Sequence, residues 1–233
     1  MKPKAIIFDM DGVILNSEPI YYEVQMKFFR ELGINISADE YSTFVGLSQT
    51  EMWKRILKKF DSTSIRQLTD GVEYNFSTLN KINLLEELIT KNNKLNYQHF
   101  SKLENLKPTP NLIDFINELK NKNIKLAVAS STTKKLVDLI LEKLQIRHFF
   151  EVIVSGNEIK NGKPEPDIFL KTAELLKVKP EECIVIEDSF NGVKAAKSAG
   201  MKCIGFQKFN SGEQDLSDAD LIVNEFNELI SFI

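Results

Sequence analysis

Acidic side chains directly follow two short apolar runs of the sequence. Asp9 and Asp11 follow the first run, and Glu187 and Asp188 follow another. Four carboxylates in one pocket would repel one another and raise each other's pKa values. A divalent cation relieves that repulsion, and a ligand set made only of oxygens favours Mg²⁺. If the two runs lie in one sheet, this pattern predicts a magnesium site.

Hydroxyl and ammonium groups follow two further apolar runs. Ser130 and Ser131 come after one of them, and Lys163 lies in the loop after the other. Beside a cation, a lysine and a hydroxyl would bind an anion such as a phosphoryl group, whose oxygens accept from ammonium and backbone N–H groups. Taken alone, the serines are typical of a helix N-cap and Lys163 of a surface lysine. The prediction therefore depends on these loops meeting.

Six short apolar runs predict buried strands. They cover residues 4–8, 124–129, 152–154, 183–186, 203–206 and 221–223. Segments with helical spacing separate the later runs, and this alternation predicts an α/β fold with a parallel sheet and helices on both faces. In such a sheet, ligands bind beyond the carboxyl ends of the strands. The four loops that carry the acidic, hydroxyl and lysine residues are then expected at one edge of the sheet.

One long stretch interrupts the alternation. Residues 16–104 contain no convincing strand, and helices are predicted at 21–32, 49–60, 64–79 and 84–90, with a loop at the polar run 91–96. The sequence thus predicts a catalytic core from residues 1–15 and 105–233, with an inserted all-helical domain at 16–104.

Composition excludes several classes of protein. The 233 residues include 30 Lys and Arg against 33 Asp and Glu, so the chain lacks the basic surplus typical of nucleic-acid binding. No apolar run approaches the roughly 20 residues that span a bilayer. We therefore expect a cytoplasmic protein with neither nucleic acid nor membrane as partner. A monomer is also expected, although composition carries no information on oligomeric state. Cys183 and Cys203 lie in apolar runs, which indicates buried thiols.

Taken in order, the four motifs resemble those of the haloacid dehalogenase-like superfamily, and most closely its β-phosphoglucomutase-like phosphatase group. The resemblance covers essentially the whole chain and implies a Rossmann-like core, with a cap domain where the helical insert lies. The motifs are Phe8-Asp9-Met10-Asp11-Gly12-Val13-Ile14, Ala129-Ser130-Ser131, Gly162-Lys163-Pro164-Glu165-Pro166-Asp167 and Ile186-Glu187-Asp188-Ser189.

The resemblance implies a catalytic role for four residues. Asp9 would be the nucleophile that forms an aspartyl-phosphate. Asp11 would protonate the leaving oxygen and then deprotonate the attacking water. Ser130 and Lys163 would hold the phosphoryl oxygens, with Ser131 as a further substrate-binding hydroxyl.

The resemblance also implies how Mg²⁺ is held. The Asp9 carboxylate, the Asp11 backbone carbonyl and Asp188 would bind the ion. Glu187 would orient a metal-bound water or lie just behind the ligands.

Residues 44–50 resemble the substrate-specificity loop of the group's cap domain. Gly46 would permit close approach of the substrate, and Gln49 and Tyr22 are candidate contacts. Met52 and Trp53 are further candidates, although apolar residues at helical spacing more often pack in a core.

The specificity loop favours one activity over its alternatives. Mutases of the group carry an arginine there for the second phosphate, whereas this chain has Gln49. We therefore expect a Mg²⁺-dependent phosphatase of a small phosphomonoester, a sugar phosphate, acting through the aspartyl-phosphate. The alternatives are a phosphohexomutase and a non-catalytic module that binds a phosphorylated metabolite. Asp11 argues against a dehalogenase, which lacks the second aspartate.

Overall fold

The chain divides into two compact units. A computed structural model describes residues 3–60, 81–209 and 214–230. The core unit comprises Met1–Ser17 and Leu103–Ile233, and the helical unit comprises Glu18–Lys102. No helix in these described ranges combines the length and apolar character that a membrane crossing requires.

A six-stranded parallel sheet forms the centre of the core unit, in the order β3-β2-β1-β4-β5-β6. All six predicted strands are confirmed, and their ends differ from the predicted ones by one residue at most. The strands are β1 Ala5–Phe8, β2 Lys125–Ser130, β3 Val152–Ser155, β4 Cys183–Glu187, β5 Lys202–Phe206 and β6 Leu221–Val223.

Helices form the helical unit, and further helices cover both faces of the sheet in the core unit. Those of the helical unit are α1 Glu18–Glu31, α2 Ala38–Ser42, α3 Gln49–Lys59 and α4 Lys81–Lys102. Those of the core unit are α5 Leu112–Asn121, α6 Lys134–Lys143, α7 Asp167–Leu176, α8 Phe190–Ser198 and α9 Asn227–Ile230.

Strand β1 explains why the apolar runs are continuous rather than alternating. Successive side chains of a strand point to opposite faces of the sheet. Ile7 packs in a cluster with Phe169 of α7, whereas the ring of Phe8 lies 6.2 Å from Phe115 of α5 and 6.4 Å from Phe226. Both faces of β1 are therefore buried, as the predicted α/β fold requires.

The strand order creates the place where a ligand can bind. The chain runs from β1 outward to β2 and β3, and then crosses to β4 on the other side of β1. In open parallel sheets, ligands bind where the order reverses, beyond the carboxyl ends of the strands. The Asp9 N–H donates to the Ile186 carbonyl at 2.9 Å, so the acidic ends of β1 and β4 lie side by side.

The helical unit has an apolar core of its own. Trp53 is fully buried there, and its ring lies 5.5 Å from that of Phe28 and 5.6 Å from that of Phe29. Helices α1, α3 and α4 confirm three of the predicted helices, at 21–32, 49–60 and 84–90, and α2 was not predicted. The predicted helix at 64–79 lies outside the described residues.

The predicted loop at 91–96 is wrong, because α4 continues through it to Lys102. Leu88, Asn92, Asn96 and Phe100 are spaced by four residues and are all buried, so they form one inward face of this helix. Asparagine is a weak helix former, but packing of a helix against its neighbours routinely overrides intrinsic propensity.

We expect Phe226→Ala to lower the free energy of unfolding by about 3–5 kcal/mol, as is usual for a buried phenylalanine. The ring of Phe226 stacks at 4.6 Å on Phe206 and at 5.3 Å on Phe115. Urea unfolding measures the change. Phe190→Ala is the matched control, because that side chain is 42% exposed and its loss should cost less than about 1 kcal/mol. Equal losses in the two variants would contradict the assignment of Phe226 to the core.

Candidate active site

Loops that follow β1, β2, β3 and β4 bring the chemical groups of the core unit together at the carboxyl edge of the sheet. Lys163 lies at the centre of this arrangement. Its Nζ donates to Asp9 Oδ1 at 2.5 Å, to Glu187 Oε1 at 2.6 Å and to the Ala129 carbonyl at 3.2 Å. These three acceptors match the three hydrogens of an ammonium group. Lys163 is therefore a buried lysine, whereas its residue type alone would suggest a surface position.

Burial makes the charges of this cluster interact strongly. The Lys163, Asp9 and Glu187 side chains are only 6%, 8% and 1% exposed. Burial raises the pKa of Asp9 to about 7, with repulsion from Glu187 and Asp11 adding to this and the Lys163 ammonium opposing it. Burial by itself would lower the pKa of Lys163, but Asp9 and Glu187 outweigh it and raise that pKa. Lys163 is thus a fixed positive charge at neutral pH.

Glu187 is held by the beginning of helix α8. Its Oε2 accepts from the Ser189 N–H at 2.8 Å and from Ser189 Oγ at 2.9 Å, while Lys163 occupies Oε1. Ser189 is also the N-cap of α8, because its Oγ accepts from the Gly192 N–H at 3.1 Å. The positive end of a helix favours an anion at this position. Both oxygens of Glu187 therefore have partners within the protein.

Asp11 is bound by hydroxyl groups from two different parts of the core unit. Ser17 Oγ donates to Asp11 Oδ1 at 2.6 Å, and Thr132 Oγ1 donates to Asp11 Oδ2 at 2.8 Å. Ser130 Oγ lies 3.5 Å from Asp11 Oδ2, at the limit of a hydrogen bond. Sequence reasoning missed Ser17 and Thr132 as site residues. Both lie within or beside the motifs, but nothing in the sequence tells which nearby hydroxyl reaches the carboxylate.

The two serines that follow β2 differ in their surroundings. Ser130 is fully buried, and its Oγ accepts from the Thr132 N–H at 3.1 Å. Ser131 is exposed. The structure therefore brings Ser130 into the cluster with Asp11, whereas Ser131 faces outward, and its role in substrate binding stays a prediction.

Asp188 packs against the loop that carries the two aspartates of β1. A Cβ atom on Gly12 would lie 1.8 Å from Asp188 Oδ2, and Gly12 has a φ of +78°, which favours glycine. Burial raises the pKa of Asp188, and the charges of Glu187 and Asp9 raise it further. The single ammonium of Lys163 cannot balance these carboxylates, so the region suits a further cation.

The donor set fits Mg²⁺ in particular. No three side chains of His, Cys, Asp or Glu gather as a ready-made metal cage in the part of the chain that the structure describes. The groups that could hold the ion are the Asp9 and Asp188 carboxylates and the Asp11 carbonyl. Mg²⁺ usually takes one or two carboxylates and keeps several waters, so this smaller set is sufficient.

The predicted substrate contacts of the helical unit lie near the beginnings of α1 and α3. Gly46 has a φ of +80° in the turn before α3. Gln49 begins α3, and its Oε1 is buried with no hydrogen-bond partner among the described residues. Tyr22 is 36% exposed, and its ring packs edge-on against Tyr41 at 4.9 Å. Their contacts with substrate stay predictions.

Two further candidates belong to the apolar core of the helical unit. Met52 and Trp53 are 7% and 0% exposed and pack in the same cluster. Their burial therefore supports a role in packing rather than in substrate binding.

The sequence matches the family model described as "Haloacid dehalogenase-like hydrolase" over residues 6–206. It is 35% identical over 201 residues to a phosphorylated carbohydrates phosphatase from Thermotoga maritima, a match that covers 86% of this chain and 83% of the relative. It is also 32% identical over 226 residues to a β-phosphoglucomutase from Bacillus subtilis, covering 97% of this chain and 91% of that protein.

A solved structure agrees in fold with this one over almost its whole length. The crystal structure of CbbY from Rhodobacter sphaeroides in complex with phosphate aligns with a TM-score of 0.78 and 26% identity, covering 97% of this chain and 96% of that one. The chain therefore belongs to the haloacid dehalogenase-like hydrolase family, in its β-phosphoglucomutase-like group, and is a phosphoric monoester hydrolase.

Proposed function

We propose that this protein is a Mg²⁺-dependent phosphatase that hydrolyses a small sugar phosphate through an aspartyl-phosphate on Asp9. The observation that carries the proposal is the buried pair of Asp9 and Lys163 beside the hydroxyl-bound carboxylate of Asp11. The relative named as a phosphatase of phosphorylated carbohydrates supports the substrate class.

The first half of the reaction transfers the phosphoryl group to the protein. A carboxylate oxygen of Asp9 attacks phosphorus, and the bond between phosphorus and the leaving oxygen breaks. Asp11 gives its proton to that oxygen, so the alcohol leaves as a neutral molecule. The two aspartates are two residues apart just after β1, and the Asp11 carboxylate is close enough to Asp9 to raise its pKa.

The second half releases phosphate. Asp11, now ionised, accepts a proton from water, and the water oxygen attacks phosphorus of the aspartyl-phosphate. The bond to Asp9 breaks, and inorganic phosphate leaves. Lys163 and Ser130 stabilise the phosphoryl oxygens in both halves, since an ammonium and a hydroxyl aimed at developing charge act strongly in a buried site.

Asp9, Asp188 and the Asp11 carbonyl would hold Mg²⁺. When bound, the ion supplies positive charge to the phosphoryl oxygens and keeps Asp9 ionised as a nucleophile. The raised pKa of Asp9, to about 7, supports this assignment, because Lys163 alone leaves that carboxyl only partly ionised at neutral pH.

Glu187 acts as a counter-charge of Lys163 in this proposal. A Cβ atom on Gly192 would lie 1.7 Å from Glu187 Oε1, so only glycine at this position leaves room for the carboxylate. Ser189 and Lys163 satisfy its two oxygens. Glu187 thereby fixes the ammonium beside Asp9, and it would contact Mg²⁺ only through water.

The choice of substrate is proposed to lie with Gly46, Gln49 and Tyr22 of the helical unit, which would act as a cap domain. The buried Oε1 of Gln49 would accept a hydrogen bond from a sugar hydroxyl, and it has no partner among the described residues. Ser131 would add a further hydroxyl. The cytoplasmic location and the monomeric state stay predictions.

A phosphohexomutase is the second candidate, supported by the β-phosphoglucomutase that matches 97% of this chain. A mutase must hold two phosphates, and the neutral side chain of Gln49 stands where mutases of the group carry an arginine. This difference favours the phosphatase.

We expect the protein to release inorganic phosphate from hexose phosphates in the presence of Mg²⁺ and to stop when EDTA is added. The substrates include β-glucose 1-phosphate, and both inorganic phosphate and the sugar products are measured in each reaction. Conversion of that substrate to glucose 6-phosphate without net phosphate release would instead identify a mutase. Binding of sugar phosphates with no product on long incubation would support a non-catalytic module.

Asp9→Asn is expected to lower the rate of phosphate release by at least about a thousandfold, because it removes the nucleophile. Its urea unfolding curve should show no loss of stability, since the substitution removes a charge from a crowded anionic cluster. Asp114→Asn, on the exposed face of α5, is the control and should retain full activity. An Asp9→Asn variant with normal turnover would exclude Asp9 as the nucleophile.

Gly192→Ala should destabilise the protein by about 1–3 kcal/mol, the usual cost of overpacking. In a helix this substitution commonly stabilises, by up to about 1 kcal/mol. In the Glu187→Ala background the clash is absent, and Gly192→Ala should become neutral or stabilising. Urea unfolding of the four proteins measures this coupling. The same loss in both backgrounds would show that Gly192 does not act through Glu187.

A further inference from the structure

Both oxygens of the Asp11 carboxylate accept hydrogen bonds, and one of the donors lies in the loop that follows β2. Thr132 Oγ1 donates to Asp11 Oδ2 at 2.8 Å across 121 positions of the sequence. On the other side, Ser17 Oγ donates to Asp11 Oδ1 at 2.6 Å. The Thr132 bond therefore joins the loop after β2 to the loop after β1 at the group proposed to move protons.

The position of Thr132 in its loop is itself fixed. Its N–H donates to Ser130 Oγ at 3.1 Å, and Ser130 is fully buried. A threonine before a helix usually caps the helix. Here the N-cap of α6 is Thr133, whose side chain makes no capping hydrogen bond. The N-cap position thus belongs to Thr133, and the hydroxyl of Thr132 donates to Asp11.

We propose that Thr132 is a positioning residue that orients the carboxyl of Asp11 for proton transfer to the leaving oxygen. This inference rests on the proposed phosphatase function. The terminal torsion of an aspartate is broad, so a carboxyl without a fixed partner samples many orientations. Ser17 fixes one oxygen only, and the Thr132 hydroxyl fixes the second, so the two bonds together restrict that torsion and hold the carboxyl in one orientation.

Leaving groups of different acidity separate this role from general damage to the site. An alkoxide leaving group needs a proton as its bond to phosphorus breaks, whereas p-nitrophenolate leaves without one. General acid catalysis contributes about 10²- to 10⁴-fold in enzymes. Misorientation of the acid should therefore slow phosphoryl transfer from an alkyl phosphate and leave transfer from an aryl phosphate nearly unchanged.

The test compares kcat/KM of Thr132→Val, which keeps the shape but loses the hydroxyl, on glycerol phosphate and p-nitrophenyl phosphate with Mg²⁺ present. We expect a loss of at least about tenfold on glycerol phosphate, within the range of general acid catalysis, and of less than about threefold on p-nitrophenyl phosphate. Thr132→Ser keeps the hydroxyl and should recover most of the loss. Thr133→Val, the neighbouring threonine, should match the unmodified protein on both substrates.

Equal losses on the two substrates, or no loss on glycerol phosphate, would overturn the role of Thr132 while the proposed function stands. Failure of Thr132→Ser to recover activity would also count against it. If Thr132→Val unfolds at a lower urea concentration than the unmodified protein, Thr132→Ala is measured with the same expectation. If the unmodified protein released phosphate neither from these two substrates nor from hexose phosphates, the proposed function would be overturned, and this inference with it.

Discussion

The buried ammonium of Lys163 is the interaction on which the arrangement of the site depends. It joins the end of β1 through Asp9, the end of β2 through the Ala129 carbonyl and the end of β4 through Glu187. Burying a charge is costly unless it is paired and hydrogen-bonded, and here all three of its hydrogens have acceptors. Because one ammonium group reaches all three acceptors at once, the loops that carry these groups must keep their relative positions.

The parallel sheet makes this arrangement possible. Because the order of the strands reverses between β1 and β4, their carboxyl ends are neighbours, and loops from distant parts of the sequence reach one place. Two glycines then allow the acidic groups to approach. Gly12 leaves room for Asp188, and Gly192 leaves room for Glu187. The lack of a side chain at these two glycines is therefore needed for the carboxylates to take their positions.

The similarity to both a phosphatase and a mutase follows from this division of roles. The chemistry of the aspartyl-phosphate needs only the groups of the core unit, which suits transfer to water and transfer to a second substrate alike. The difference is therefore proposed to come from residues that meet the leaving group, and Gln49 in the helical unit is the proposed position. Its buried oxygen has no hydrogen-bond partner among the described residues, and we propose that it accepts from a substrate hydroxyl rather than facing a second phosphate.

The sequence by itself determined the α/β class, the six strands and the acidic, hydroxyl and lysine residues that follow them. Each is a local property, either a continuous apolar run or a polar residue at the end of one. Only the tertiary structure decided which hydroxyl binds Asp11, that Glu187 faces Lys163, and that α4 continues through its asparagines. These three features depend on contacts between residues far apart in the chain. Residue type and local spacing do not predict which distant residues come into contact.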